Sequence, residues 1–322
     1  LVLAQLDAPN TVEIALQALE GVEVDEFLDF AVWSICREHA DRWKPGVTTG
    51  NPFSGPRQLL YAVRALNEAV GVPLILTALE SGELASNEEI AGVADWISKV
   101  GSAADLERLF VFALREGTAP TRQHTVLAAL DSAAKLRKLQ PAGDTTRLTA
   151  FLQSPDPATF ASAASLAGLW KLESAREKLQ SAFLGAPKNE TRARAALAGL
   201  IALGGPATAQ LLEASARNKT AVFLLRSLAV IGRTRMNPDE GAKLALEVLR
   251  DAPDGNDPHG IYDTFLANKQ GPAALAAALQ SASLPRAIAL VGMNKAQGAA
   301  SLPEALVAAL RKAGDLKPMK TA

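Results

Sequence analysis

Cysteine is almost missing: Cys36 is the one example in 322 residues. Neither an internal disulfide nor a cysteine-based metal or haem site can be assembled from it. Aromatic residues make up only 5%, although hydrophobic residues reach 48%. The apolar content is therefore carried by Ala and Leu, the strongest helix formers, which points to an all-α chain. Charge of one sign is absent too, since 33 basic residues stand against 34 acidic ones for a net charge of −1. With no block of like charge, nucleic acid and anionic membrane surfaces are poor partners. No segment alternates with period two and no β-branched run occurs, which argues against strands. The longest uncharged run, 195–212, is split by Gly204-Gly205-Pro206. It reads as two helices, and no membrane insertion is expected. A P-loop, a dinucleotide glycine loop, a GxSxG elbow and HExxH are all missing. The chain opens at Leu1 without the pattern of a secretory signal, so an internal stretch of a larger protein is expected.

What is present is helical grammar, organised around Asp25–Leu66. A long aromatic helix is predicted from an N-cap at Asp25 to Trp43, with Glu26 and Asp29 suiting its positive end. Phe27, Phe30, Ala31 and Ile35 form one stripe, and Trp33, Cys36, Ala40 and Trp43 a second. A helix apolar on two faces is expected to lie between neighbours. A Gly/Pro loop, 44–56, leads to the amphipathic helix RQLLYAVRAL. Upstream, two short helices are expected over 1–20, with apolar positions Val2, Leu3 and Leu6, then Val12, Ile14, Leu16 and Leu19.

Downstream, the unit of turn, helix, turn and helix repeats. First helices are expected near Pro56, Asn87, Pro120, Pro157, Asn189, Thr220 and Pro258, at roughly 30–38 residue intervals typical of helical hairpins. Second helices are expected at Val72–Leu79, Ala104–Leu114, Thr145–Leu152, Ser174–Phe183, Ala207–Ala214 and Pro238–Leu249. Such units cannot bury their apolar stripes alone and must stack. The fold expected is an α-α superhelix, a HEAT/armadillo-like solenoid of about seven or eight irregular hairpins. It would occupy 1–316, with 1–66 as an atypical N-terminal cap and 317–322 as a linker to a following domain.

Residues able to carry chemistry are few. Arg37, Glu38, His39, Asp41 and Arg42 cluster between Trp33 and Trp43, but the plainer account is a polar helix face with both indoles in the core. His39, His124 and His259 lack a second His or Cys at helical spacing. Asp254, Asp257 and His259, in DAPDGNDPHG, miss the calcium-loop pattern and read as an inter-repeat turn. Cys36 reads as a small core hydrophobe. The carboxylate pairs Glu88-Glu89 and Asp239-Glu240 stand at helix starts, where they complement the dipole. No catalytic, cofactor or metal residue is expected in this stretch. If there is a ligand surface, the loop Lys44–Pro56 is the first place to look, with Asn51 and Arg57 as candidates, because loops on rigid scaffolds carry binding.

The stretches DEFLDFAVW, REHADRW and GNPFSGPRQLLYAVRAL resemble the HEAT-repeat region of multidomain exported proteins. These occur in planctomycetes and related bacteria and are called membrane-bound dehydrogenases or haem-binding CxxCH proteins. FLANKQGPAALAAAL and LPEALVAALRKAGDL are similar to the end of that region. The resemblance implies a β-propeller before the array and a c-type cytochrome domain after it, with haem c in the parent protein and a periplasmic or exported location. It implies a non-catalytic scaffold, with neighbouring domains of the same chain or another protein as partners. A free-standing adaptor and an all-α toroid hydrolase or lyase are the alternatives. An open superhelix fits the scaffold, and a closed ring with facing Asp and Glu fits the enzyme.

Overall fold

The structure is a computed structural model that describes residues 10–20, 24–252 and 255–316. Among the described residues every regular element is helical. The chain divides into two compact units, Leu1–Leu166 and Ala167–Ala322.

In the first unit the elements are α1 (Thr11–Gln17), α2 (Glu26–Glu38), α3 (Ala40–Trp43), α4 (Pro56–Leu66), α5 (Val72–Ser81), α6 (Asn87–Val100), α7 (Ala103–Leu114) and α8 (Pro120–Leu136). Short 3-10 helices run over Lys44–Thr48 and Thr145–Gln153, and the unit boundary falls inside α9 (Pro157–Leu169). Helix α2 packs on α4, α4 on α6 and α6 on α8, while α5 packs on α7. The second unit continues with α10 (Arg176–Leu184), α11 (Glu190–Leu203), α12 (Gly205–Arg217), α13 (Phe223–Met236), α14 (Pro238–Arg250), α15 (His259–Leu266), α16 (Gly271–Leu279), α17 (Arg286–Gln297) and α18 (Glu304–Ala313). There α11, α13, α15 and α17 form one row, and α12, α14, α16 and α18 a second. Each helix thus touches its hairpin partner and its counterpart in the next hairpin. This two-row stacking is the α-solenoid that the period predicts.

Local chemistry sets the helix starts. Ser86 caps α6 and Ser102 caps α7, each in a reciprocal box with the acid at the third helical position, Glu89 and Asp105. Asp25 accepts from the Leu28 amide at 2.7 Å, as its place before the first apolar residue predicts. Asn237 accepts from the amides of Asp239 and Glu240.

Polar side chains then tie each hairpin to the next. The Tyr61 hydroxyl bonds Asp29, Arg122 bonds Asn87, Ser165 bonds Asp131, and Lys295 bonds Asp263, at separations of 32 to 35 residues. The repeat period, invisible as sequence identity, is legible in these rungs.

Glu89 illustrates one rung and its energetics. Partial burial works against its ionisation, but donors from Ser86, Arg57 and Ala85 outweigh that and hold the carboxyl at about 2 against an ordinary 4.5. Because the folded-state value is depressed, the stabilisation is present above pH 4.5 and is lost as the pH falls toward 2. Glu89→Gln is expected to cost about 2 kcal/mol at pH 7. The gap from wild type should shrink to roughly a quarter by pH 2.5 and close only below pH 2, as urea midpoints at pH 7 and pH 2.5 would begin to show.

Five expectations change. The helix predicted from Asp25 to Trp43 breaks at His39, where φ is −105° and ψ 22°. The Trp43 indole turns back and donates to the freed Cys36 carbonyl at 2.9 Å. Of the four aromatic residues in the two stripes, only Trp43 is in the core. Phe27 is 86% exposed, Phe30 66% and Trp33 37%. Only the Val32, Ile35 and Cys36 face of α2 is covered, because α2 has a first-row neighbour, α4, on one side. Thr145–Leu152 is a 3-10 helix instead of an α-helix, and the helix expected from Ser174 opens with a 3-10 turn over Glu173–Ala175. The helix expected near Thr220 begins at Phe223. The apolar set Val2, Leu3 and Leu6, Asp254 and the 317–322 linker lie outside the described residues.

Candidate functional site

On α2 the residues spaced three apart from Phe27 fall on one exposed edge. The Phe30 and Trp33 rings stack with centroids 6.1 Å apart and planes 20° from parallel. Arg37, one turn further on, sets its guanidinium 4.5 Å from the Trp33 ring centroid. The same guanidinium donates to the Ala65 carbonyl at the end of α4 at 3.3 Å, which ties the aromatic edge to the next hairpin. Large aromatic side chains grouped along one exposed helix edge set this surface apart from an ordinary polar helix face.

Beside this edge, α2, α4 and α6 enclose a cavity of about 220 Å³ whose walls include Trp33, Tyr61, Arg64, Asn67, Trp96 and Lys99. Tyr61 directs its hydroxyl at Asp29, whose carbonyl and carboxylate oxygens both lie 2.8 Å away. Burial and this acceptor push the phenol's pKa above its ordinary range. Lys99 pairs with Asp95 at 2.8 Å one turn back on α6. Asn67 ends α4 in the left-handed region at φ 54°, which an asparagine tolerates better than most residues. Trp96 is 2% exposed, and its indole N–H meets no acceptor among the described residues.

Neither Asn51 nor Arg57 lines this cavity. Asn51 accepts from the Phe53 amide at 3.0 Å and closes a turn in the loop. Arg57 pairs with Glu89, though its side chain remains 75% exposed. The loop itself is tied down: Lys44 pairs with Glu68, the hydroxyls of Thr48 and Thr49 bond back to Pro45 and Gly46, and Phe53 packs on Trp43 with ring centroids 5.5 Å apart.

The polar cluster after Trp33 is divided by the break at His39, so Arg37 serves the aromatic edge while Asp41 and Arg42 belong to α3. Cys36 is fully buried, and burial pushes its thiol up to about 12. His124 faces Ser162 at 3.3 Å, and His259 faces Asp257 at 2.8 Å on an exposed turn. Among the described residues no group of three or more His, Cys, Asp or Glu is placed to hold a metal ion. Nor is any helix long and apolar enough to cross a membrane.

The second unit has a wider depression of about 500 Å³ beside Arg194, Arg235 and Asp263. Its charges are largely spoken for, since Arg194 pairs with Glu190 and Asp263 with Lys295. Sequence reasoning passed over Arg64 and Trp96. Each lies one repeat period from its neighbours on the cavity wall, so only a register of the hairpins against one another could have brought them forward. No protein-family model, curated protein or solved structure matches the chain.

Proposed function

We propose that this chain is a non-catalytic protein-interaction scaffold, the HEAT-like stretch of a larger exported redox protein of the kind its sequence resembles. Residues 1–66 act as the N-terminal cap and docking element, and the solenoid holds a dehydrogenase-like propeller and a c-type cytochrome domain in fixed relation. Haem c belongs to the parent protein and not to this segment. The observation that carries the reading is the exposed edge of Phe27, Phe30 and Trp33 on α2. An aromatic edge of this size is costly to leave in water and gains by being covered.

The test compares the isolated segment with the intact parent protein by hydroxyl-radical footprinting. Phe27, Phe30 and Trp33 should be at least fivefold less oxidised in the parent. Equal oxidation in both would remove the docking element. A parent reading frame that encodes neither a propeller nor CxxCH would remove the redox setting.

A further inference from the structure

We propose that the exposed edge of α2 is a two-fold interface for a second copy of this chain, with the two α2 helices running antiparallel. The inference rests on the docking reading above and names what docks.

The edge is well defined. Val32, Ile35 and Cys36 point into the unit, and Glu26, Phe27, Phe30, Trp33 and Arg37 stand exposed on the other side of the helix. With 3.6 residues per turn, Glu26, Phe30, Trp33 and Arg37 fall within about 60° of one another, and Phe27 follows on the neighbouring flank.

The arrangement is complementary to itself. Glu26 precedes the point between Ala31 and Val32 by as much as Arg37 follows it. Phe30 precedes the same point by as much as Trp33 follows it. Turned end for end against its own copy, the edge sets Glu26 opposite the partner's Arg37 and Phe30 opposite the partner's Trp33, each twice over. A two-fold between antiparallel helices keeps each flank of the edge on its own side, so one register satisfies both pairings. On the other flank Phe27 meets the partner's Ser34, a small residue that leaves room for the ring.

The charges are available for this. Glu26 has no hydrogen-bond or ion-pair partner among the described residues. Arg37 lies over Trp33 and gives one nitrogen to the Ala65 carbonyl, and its other donors have no acceptor among the described residues. The guanidinium is thus held in place with donors to spare. A parallel pairing would set Glu26 against Glu26 and Arg37 against Arg37, so charge selects the antiparallel one.

The area sets the strength. The exposed parts of Phe27, Phe30 and Trp33 amount to roughly 400 Å² per copy. Two copies and the flanking charges reach the lower end of the size range of specific interfaces. The dimer of the isolated chain is accordingly reversible, with a dissociation constant on the order of 0.1 mM.

Sedimentation equilibrium of the 322-residue chain, from about 10 µM to about 1 mM, reads the association. The mean mass should rise from 33.7 kDa toward twice that value. Glu26→Arg and Arg37→Glu, each alone, should associate at least tenfold more weakly, because each brings like charges together twice. Mixed in equal amounts they should form a heterodimer within about threefold of wild-type affinity, since every facing pair is then opposite in sign. Phe30→Asp should stay monomeric throughout, with a far-UV circular dichroism spectrum like that of the wild type, because the position is exposed. A wild-type mass of one copy up to 1 mM, or a mixture that associates no better than the separate variants, would overturn the inference. If the chain stays monomeric while Phe27 and Phe30 are protected in the parent protein, the second copy falls and the docking element stands with another occupant. If the mixture rescues dimerisation while the edge is oxidised equally in parent and segment, the docking of parent domains falls and the second copy stands.

Discussion

Gly168→Val is expected to be strongly damaging to the second unit, costing about 3 kcal/mol or more. A Cβ at this position would sit 2.5 Å from the Ala202 Cβ and 2.7 Å from the Gly199 carbonyl oxygen. Both obstacles belong to the α11 helix itself, one being backbone and the other a methyl fixed to it. No rotamer change relieves them, so α9 and α11 must move apart. Interiors packed at crystal-like density have no slack for such a shift, and Leu200 and Leu203 on α11 would lose contacts with it. Gly92→Ala is the control. There the nearest atoms are the far end of the Arg64 side chain, which can swing aside, so stability should not fall. Trp170 is the one tryptophan in 167–322. Its fluorescence during urea unfolding reads the second unit directly, and a midpoint within 0.3 M of wild type for Gly168→Val would contradict the close-approach argument.

The second large effect is expected at Arg226, a cation 5% exposed in the heart of the second unit. Its Nε donates to the Ala216 carbonyl at 2.9 Å, which satisfies a last-turn oxygen of α12 that has no partner within its own helix. Its other end lies 3.4 Å from Asp251, which also faces Lys219 at 3.4 Å. Arg226→Ala removes the donor, opens a cavity and leaves both acceptors behind, for an expected loss of about 3–4 kcal/mol. Arg226→Met restores the volume and avoids burying a charge, so it should recover at least half of that loss. The ranking discriminates between causes. If Met were as damaging as Ala, the hydrogen bond to Ala216 would be the dominant contribution; if Met were neutral, packing would be. Chemical denaturation of the two variants, followed through Trp170, measures the ranking. Unfolding of the two units need not coincide, so a probe confined to one unit is required.

Most helix positions were legible in the sequence for local reasons. Pro56, Pro120 and Pro238 each open a helix at the first position, where proline's missing N–H does no harm. Asn237 and Asn189 cap theirs. The apolar spacing of Leu59, Leu60 and Val63 faces inward as periodicity predicts. The errors occur where a local pattern does not state who the neighbour is. Phe27 and Phe30 have the residue type of a core and the spacing of a helix face, yet are exposed because that face of α2 meets no helix among the described residues. The stop at His39 follows from the Trp43 indole reaching the Cys36 carbonyl, a closure that competes with continued helix and has no signature in EHADRW.

Composition and periodicity by themselves determined the class: an Ala- and Leu-rich chain punctuated every helical pair must form hairpins, and hairpins with one apolar stripe must stack. Those are properties of each stretch of chain taken alone. The tertiary structure decided which side chains from different hairpins meet. Tyr61 reaches Asp29, Arg64 lies against Gly92, and Trp96 closes the same cavity. Each encounter depends on the rotation and offset of one helix against the next, set by the fit of small residues such as Gly168 and Gly199 at the contact. That fit is a sum over many weak contacts between hairpins, so no single stretch of the chain records it.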